Sequence, residues 1–258
     1  MVIAGIIPAR MASTRFPGKP LADICGVPLV GHVYFRSRMN KTLKYVYVAT
    51  CDKEIEDYCL KNGIKVVMTK DTHTRASDRA AEAMLNIERE VGEKIDIVVM
   101  IQGDEPMLNP KMIDLAIRPM LEDSAILVVN LMVEIESAKE QEDANVVKVV
   151  VDKDNHALYF SREPIPSAKK VKGPVARYKQ IPIIPFRRDS LIMFNNLAPK
   201  PLEIIESVDM LRLLEHGQKV KMVLSQFNTY GVDTPQDLKR VEKLIKADPL
   251  TARYWEGK

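Results

Sequence analysis

The feature that most constrains the fold is a regular alternation of short β-branched runs with longer amphipathic stretches. The β-branched runs lie at 2–7, 44–50, 64–68, 95–101, 126–133 and 146–151. Between them, apolar residues recur at helical spacing over 27–39, 53–62, 75–92 and 110–122. Alternating strands and helices predict an α/β fold with a mainly parallel central sheet and helices on both faces.

The alternation is interrupted at 163–186, which is rich in Pro, Lys and Arg and has neither a strand nor a helix period. This composition favours an irregular excursion that serves a substrate or a dimer contact. Beyond it the pattern predicts a helix over 202–216, a strand near 219–226 and a last helix from Thr234. We expect a single domain over residues 1–258, with 155–200 as an acceptor or dimerisation subregion.

Composition excludes several classes of function. The 38 basic and 35 acidic residues nearly balance, so the chain lacks the large excess of positive charge that is typical of nucleic-acid-binding proteins. Three cysteines without CxxC spacing do not predict a disulfide scaffold or a metal site. The opening MVIAGIIPAR lacks a basic leader, and no run reaches the roughly 18 apolar residues that a membrane span needs, so we expect a cytoplasmic protein without membrane contact.

A basic loop follows the first predicted strand. Arg10, Arg15 and Lys19 lie within ten residues, among the small residues Ala9, Ser13 and Thr14. In an α/β sheet, ligands bind outside the carboxyl ends of the strands, where this loop begins. Small residues let backbone N–H groups approach phosphate oxygens, and the cations supply charged donors. The loop lacks the GxxxxGK[ST] spacing of a P-loop and is interpreted as a different triphosphate cradle; a solvated basic turn is the alternative.

Two acidic segments lie far apart in the chain. QGDEP at 102–106 follows an apolar strand, and GVDTP at 231–235 is predicted to lie at the end of a strand, just before a helix. Mg²⁺ needs only one or two carboxylates when phosphate oxygens complete its shell, so Asp104 and Asp233 suffice for a metal site. The alternative is that each aspartate caps its own turn, and Glu105 is expected to shape the turn.

These segments carry a family resemblance. The stretch IIPARMASTRFPGKPL at 6–21 resembles the opening signature of the 3-deoxy-manno-octulosonate (Kdo) cytidylyltransferases, and QGDEP and GVDTP resemble the metal-binding segments of that family. The likeness extends from residue 3 to about 245. It implies a Rossmann-like nucleotide-diphospho-sugar transferase fold, CTP and an acidic sugar as substrates, Mg²⁺ as cofactor and a homodimer.

The resemblance also implies roles for individual residues. Arg10, Lys19 and Asp104 are expected to be catalytic, and Asp104 and Asp233 to hold the metal. Nucleotide contacts are expected from Ala9, Arg10, Ser13, Thr14, Arg15, Lys19, Ala49, Asp52, Arg75, Ser77, Arg79 and Gln102. Contacts to the acceptor are expected from Lys148, Arg162, Gln180, Arg187 and Glu206. For Lys148 and Arg162, a charge beside a strand without substrate contact is an equal alternative.

Two segments depart from the family pattern. HTRASDR at 73–79 stands where the family has HxSGTER, so Arg75 and Ala76 replace a small Ser-Gly pair. QIPIIPFR at 180–187 stands where the family has HxGIYxYR and lacks its histidine and tyrosines. Since a site built for hydrogen bonds discriminates against mismatched partners, the alternative acceptor is another acidic sugar or a phosphonate. The cations Arg75, Arg177, Arg187 and Arg188 suggest an acceptor with a carboxylate, a phosphonate or another anionic group. A nucleotide-binding homologue without activity and a nucleic-acid module remain further alternatives.

Overall fold

The computed structural model describes residues 1–12 and 15–255. The chain divides into two compact units: the first comprises Met1–Asp114 and the chain from Thr229 onward, and the second comprises Leu115–Asn228. The 155–200 subregion falls inside the second unit. The single domain over 1–258 stays a prediction.

The helices and strands follow one another along the whole described chain. In chain order they are β1 Ile3–Pro8, β2 Asp23–Ile24, β3 Val27–Pro28, α1 Leu29–Arg38, β4 Tyr45–Thr50, α2 Lys53–Lys61, β5 Val66–Met68, α3 Ala76–Val91, β6 Ile97–Ile101, α4 Pro110–Glu122, β7 Val129–Glu134, α5 Ala138–Glu142, β8 Lys148–Val151, β9 Ala157–Ser161, β10 Tyr178–Ile181, β11 Ile183–Arg187, α6 Arg188–Asn196, α7 Pro201–Glu206, α8 Met210–Glu215, β12 Lys221–Leu224 and α9 Pro235–Ala247.

The first unit contains the predicted parallel sheet. Its strands lie in the order β6-β1-β4-β5, and every neighbouring pair is parallel. All six residues of β1 and all five of β6 are buried. Such continuous apolar strands are typical of a parallel sheet covered on both faces, and α1 and α3 both pack against β1 and β4. The α/β prediction is therefore confirmed.

The second unit contains a mixed sheet in the order β12-β7-β10-β8-β9. Only β12 and β7 are parallel; the other pairs are antiparallel. A tight turn at 152–156 joins β8 to β9, and its Asn155 has a φ of 57°. A connection this short can join only antiparallel strands, so β8 and β9 are antiparallel. The run at 146–151 therefore belongs to this mixed sheet and does not extend the parallel one.

Two predictions for the second unit were wrong in detail. The segment 163–186 is not irregular throughout, because it contains β10 and most of β11. The single helix over 202–216 is two helices, α7 and α8, separated by Ser207 in the left-handed conformation. A right-handed helix cannot continue through such a residue. A buried ion pair joins the two helices, with Arg212 Nε 2.8 Å from Glu203 Oε2.

Among the residues that the structure describes, no helix combines the length and the apolar character needed to cross a bilayer.

The last described segment is held against α1 by a buried polar network. His32 Nε2 donates to the Ile24 carbonyl at 2.8 Å, so its Nδ1 accepts from the Tyr254 hydroxyl at 2.6 Å. Arg36 donates to the same hydroxyl at 3.1 Å and lies 2.8 Å from Asp248. Burial, with Arg36 nearby, lowers the pKa of His32 from 6.5 to about 4.

This network predicts acid sensitivity. The unfolded chain protonates His32 below about pH 6.5 and the folded chain only near pH 4, so stability falls as the pH drops between them. The full loss is about 3 kcal/mol, at roughly 1.4 kcal/mol per pH unit. Thermal melts between pH 7.5 and 4.5 should show a steeper decline for the wild type than for His32→Asn. Equal slopes would contradict the assignment.

Candidate functional site

A single pocket of about 320 Å³ in the first unit collects most of the predicted nucleotide-binding residues. It lies where the segments after β1 and β6 meet those before α3 and α9, as expected at the carboxyl ends of parallel strands. The predicted residues that line it are Ala9, Arg10, Arg15, Lys19, Arg75, Arg79, Gln102, Asp104 and Asp233. Ser13 and Thr14 lie outside the described residues.

The centre of the pocket is a cation held between two carboxylates. Lys19 Nζ donates to Asp104 Oδ2 at 2.8 Å and to Asp233 Oδ1 at 3.2 Å. Arg15 reaches the same oxygen of Asp233 at 3.1 Å. The side chain of Lys19 is 13% exposed and each aspartate is 33% exposed. The structure thus brings the basic loop and both distant acidic segments to one point.

The charge state of Lys19 follows from this geometry. Burial disfavours the ammonium, but the two carboxylates outweigh that effect through charge and hydrogen bonds, so the pKa of Lys19 is raised above 10.5. Lys19 therefore carries a full positive charge at neutral pH, and it is available to neutralise an anion.

A tight turn aims Lys19 at the carboxylates. Gly18 has a φ of 73°, which side chains rarely adopt, and its N–H donates to the Met11 carbonyl at 3.1 Å. Lys19–Leu21 then forms a 3₁₀ turn with Pro20 at its start. The turn closes the basic loop on itself and directs Lys19 back into the pocket.

The start of the basic loop is tied to β4. Ala9 N donates to the Ala49 carbonyl at 2.9 Å, and Met11 N donates to Asp52 Oδ2 at 2.8 Å. Ala49 and Asp52 do not line the pocket. These contacts favour a supporting role for both residues, whose direct contact with the nucleotide stays a prediction.

Gly103 allows the turn after β6 to approach β1 closely. A Cβ atom at this position would lie 2.7 Å from the Pro8 carbonyl oxygen, which is a backbone clash. The absence of a side chain therefore lets Gln102 and Asp104 flank the start of the basic loop. The sequence pattern did not identify Pro8 or Gly103 as part of the site.

Asp233 is positioned differently from the prediction. The expectation that it ends a strand was wrong, because β12 ends at Leu224 and no strand covers 225–234. Asp233 instead precedes the capping box of α9, in which Thr234 and Asp237 exchange hydrogen bonds. Its own N–H donates to Asp237 Oδ2 at 3.2 Å. The helix cap thus orients the backbone of Asp233.

The segment before α3 forms another wall of the pocket. Arg79 is buried, and its guanidinium donates to the Thr69 hydroxyl and the Lys70 carbonyl. Arg75 lines the pocket, whereas Ser77 is buried and does not. His73, which was not predicted, also lines the pocket and pairs with Glu82.

The donor set fits a divalent cation that arrives with a nucleotide. The described residues contain no group of three or more His, Cys, Asp or Glu side chains placed to hold a metal. Two carboxylates do converge on one cationic atom, Lys19 Nζ. Since Mg²⁺ commonly takes one or two carboxylates and completes its shell with phosphate oxygens and water, Asp104 and Asp233 match that need.

The residues predicted to bind the acceptor lie in the second unit, where several have framework contacts. Lys148 is fully buried and donates to the carbonyls of Asp143, Val146 and Arg162, and burial lowers its pKa. Three carbonyls use all three of its N–H donors. Glu206 accepts from Ser161 Oγ at 2.7 Å and from the Arg162 N–H at 2.8 Å. These contacts favour the structural alternative for Lys148.

Two of the arginines also bind backbone. Arg162 donates to the carbonyls of Ala144, Glu206 and Ser207. Arg187 donates to the carbonyls of Met120, Asp123 and Ile126. Gln180 is half-buried in β10. Direct contact of Arg162, Arg187, Gln180 or Glu206 with an acceptor stays a prediction.

Comparisons with known proteins identify the family of this chain. Residues 4–222 match the model of a family described as cytidylyltransferase. A 3-deoxy-manno-octulosonate cytidylyltransferase of Geobacter metallireducens is 43% identical over 257 residues, covering 95% of this chain and 99% of that protein. A protein of the same name from Geobacter sulfurreducens is 40% identical over 256 residues, covering 95% and 100%.

Solved structures give the same result. A structure of CMP:2-keto-3-deoxy-manno-octonic acid synthetase complexed with CTP matches with a TM-score of 0.87 at 36% identity, over 96% of this chain and 99% of that chain. A cytidylyltransferase from Leptospira borgpetersenii matches with a TM-score of 0.63 at 18% identity, over 96% and 88%. At that identity the second structure shows a shared fold alone.

Proposed function

This chain belongs to the cytidylyltransferase family, and on that premise we propose that it transfers CMP from CTP to Kdo and releases pyrophosphate. The observation that carries the proposal is the position of Lys19, held at 2.8 and 3.2 Å between Asp104 and Asp233 in a pocket lined by further arginines. A protein that only binds a nucleotide does not need a cation held between two carboxylates from distant segments.

The cations of the pocket bind the triphosphate. Arg10 and Lys19 neutralise the β- and γ-phosphates, and Arg15 and Arg75 add charge at the wall of the pocket. Guanidinium groups give forked, charge-assisted hydrogen bonds to phosphate oxygens. Gln102, which follows β6, contacts the nucleotide.

The transfer is a single in-line displacement. The acceptor hydroxyl loses its proton to solvent as its oxygen bonds to the α-phosphorus, the bond from that phosphorus to the bridging oxygen breaks, and pyrophosphate leaves. Negative charge grows on the leaving group, where Lys19 and Arg10 stabilise it. Asp104 and Asp233 would hold Mg²⁺, which when bound would neutralise charge on the α-phosphate and lower the pKa of the acceptor hydroxyl.

Kdo is proposed as the acceptor because the relatives that carry its name align over nearly the full chain. The missing histidine and tyrosines at 180–187 argued for a different acidic acceptor. Arg187 was one of the cations that suggested another anion, yet its guanidinium donates to backbone carbonyls. That contact weakens the case for a changed acceptor. The homodimer stays a prediction of the family resemblance, and the cytoplasmic location stays a prediction from the sequence alone.

Pyrophosphate release tests the proposal. Purified protein with CTP and Mg²⁺ is assayed with Kdo, with other acidic sugars and with a phosphonate. We expect release with Kdo above any other acceptor, and loss of release when EDTA removes the metal. Release only with another acceptor would replace Kdo by that compound, and no release with any acceptor would overturn catalysis.

A further inference from the structure

A buried hydrogen bond joins the two segments that carry the metal-binding aspartates. Thr229 Oγ1 donates to Glu105 Oε2 at 2.7 Å. Glu105 is 8% exposed and Thr229 is 6% exposed. Burial of a carboxylate is unfavourable unless hydrogen bonds satisfy it, so this contact is a specific feature of the site and not an incidental surface pair.

Two further contacts reinforce the junction. Val232 N donates to the Asp104 carbonyl at 2.9 Å. The α-carbon of Gly231 lies so near the Glu105 carboxylate that a Cβ atom there would sit 3.0 Å from Oε1. Together with Thr229, these contacts hold the turn after β6 directly against the segment that leads to Asp233.

These contacts fix the distance between two carboxylates of like charge. Asp104 and Asp233 carry like charges and come from the two separate chain segments that form the first unit. Both carboxylates must stay close enough to bind one cation. They repel each other whenever no cation lies between them. A link between the two backbones therefore keeps their spacing when Lys19 is exchanged for a metal.

We propose that Glu105 and Thr229 are positioning residues that set the spacing of Asp104 and Asp233 for the divalent cation. The inference rests on the proposed function, because it assigns the metal to that pair. Neither Glu105 nor Thr229 lines the pocket, so both act through the aspartates and touch no substrate.

The test compares Thr229→Val, which keeps the shape of the side chain and removes the hydroxyl, with Thr229→Ser, which keeps the hydroxyl. Binding of Mn²⁺ to the full protein in the presence of CTP is followed by electron paramagnetic resonance, without any acceptor. Loss of one buried hydrogen bond corresponds to about a three- to tenfold weaker Mn²⁺ affinity for Thr229→Val. Thr229→Ser should stay within about twofold of the wild type.

A general structural role predicts a different pattern. If the role is only structural, Thr229→Val has a lower melting temperature and an unchanged Mn²⁺ affinity. If the role is positioning, Thr229→Val has a weaker Mn²⁺ affinity, and its CTP binding measured in EDTA is unchanged. Gly231→Ala is the second variant, since its new Cβ crowds the Glu105 carboxylate. It should weaken Mn²⁺ binding in the same direction. Unchanged Mn²⁺ affinity in both variants would overturn the proposal.

The outcomes separate this inference from the proposed function. A wild type that binds Mn²⁺ and CTP but releases no pyrophosphate overturns the transferase assignment, and the titration still decides the role of Glu105 and Thr229. A wild type that releases pyrophosphate while both Thr229→Val and Gly231→Ala bind Mn²⁺ normally overturns the positioning role alone.

Discussion

Replacing Lys19 by alanine is expected to lower kcat/KM for CTP by about 100-fold or more. The side chain of Lys19 is only 13% exposed, and its ammonium is expected to stabilise the charge that increases on the departing pyrophosphate. Steady-state pyrophosphate release measures the effect. Lys61→Ala is the matched control, because Lys61 is an exposed lysine at the end of α2, away from the pocket. A loss of tenfold or less for Lys19→Ala would remove Lys19 from the central role.

Lys19→Ala should lower catalysis but raise the affinity of the free protein for a divalent metal. In the structure, Lys19 occupies the space between Asp104 and Asp233 that a divalent cation would use. Without nucleotide, Lys19→Ala should therefore bind Mn²⁺ more tightly than the wild type, because a competing positive charge is gone. A variant that had simply lost its fold would lose metal binding and catalysis together, so weaker Mn²⁺ binding would contradict this account.

Replacing Asp104 by asparagine is expected to reduce kcat/KM by about 100-fold or more and to raise the Mg²⁺ concentration for half-maximal rate. Asparagine keeps the size of the side chain but removes the negative charge that faces Lys19 and that we propose to bind the metal. Pyrophosphate release over a series of Mg²⁺ concentrations measures both effects.

Asp57→Asn is the control for this substitution. Asp57 is 61% exposed on α2, where it pairs with Lys53. Its replacement should leave the Mg²⁺ dependence of the wild type intact. If Asp104→Asn shows an unchanged Mg²⁺ requirement, the metal is held elsewhere.

The sequence predicted the first unit better than the second for a physical reason. Strands buried on both faces require continuous apolar runs, so β1, β4 and β6 are visible without tertiary information. In the second unit, Pro182 and Pro185 interrupt an apolar run whose residues nonetheless form β10 and β11. Proline removes a ladder donor, which hid those strands from a pattern-based prediction.

The sequence predicted those residues of the candidate site that are charged and lie within a recognisable motif. Lys19, Asp104 and Asp233 carry chemistry that a metal-bound triphosphate needs, so their convergence could be expected. The contact between Glu105 and Thr229 could not, because it depends on how two distant segments pack. Lys148 illustrates a second limit of sequence-based prediction. Its ammonium donates to three backbone carbonyls, and the sequence does not distinguish such a lysine from one that binds a substrate.

The most direct test of the account is a crystal structure of the protein with CTP and Mn²⁺, with anomalous diffraction used to locate the metal. We expect an anomalous peak between the carboxylates of Asp104 and Asp233, with Lys19 Nζ moved from its position between them onto phosphate oxygens. A peak at another site, or a triphosphate bound without contact to Lys19, would contradict it.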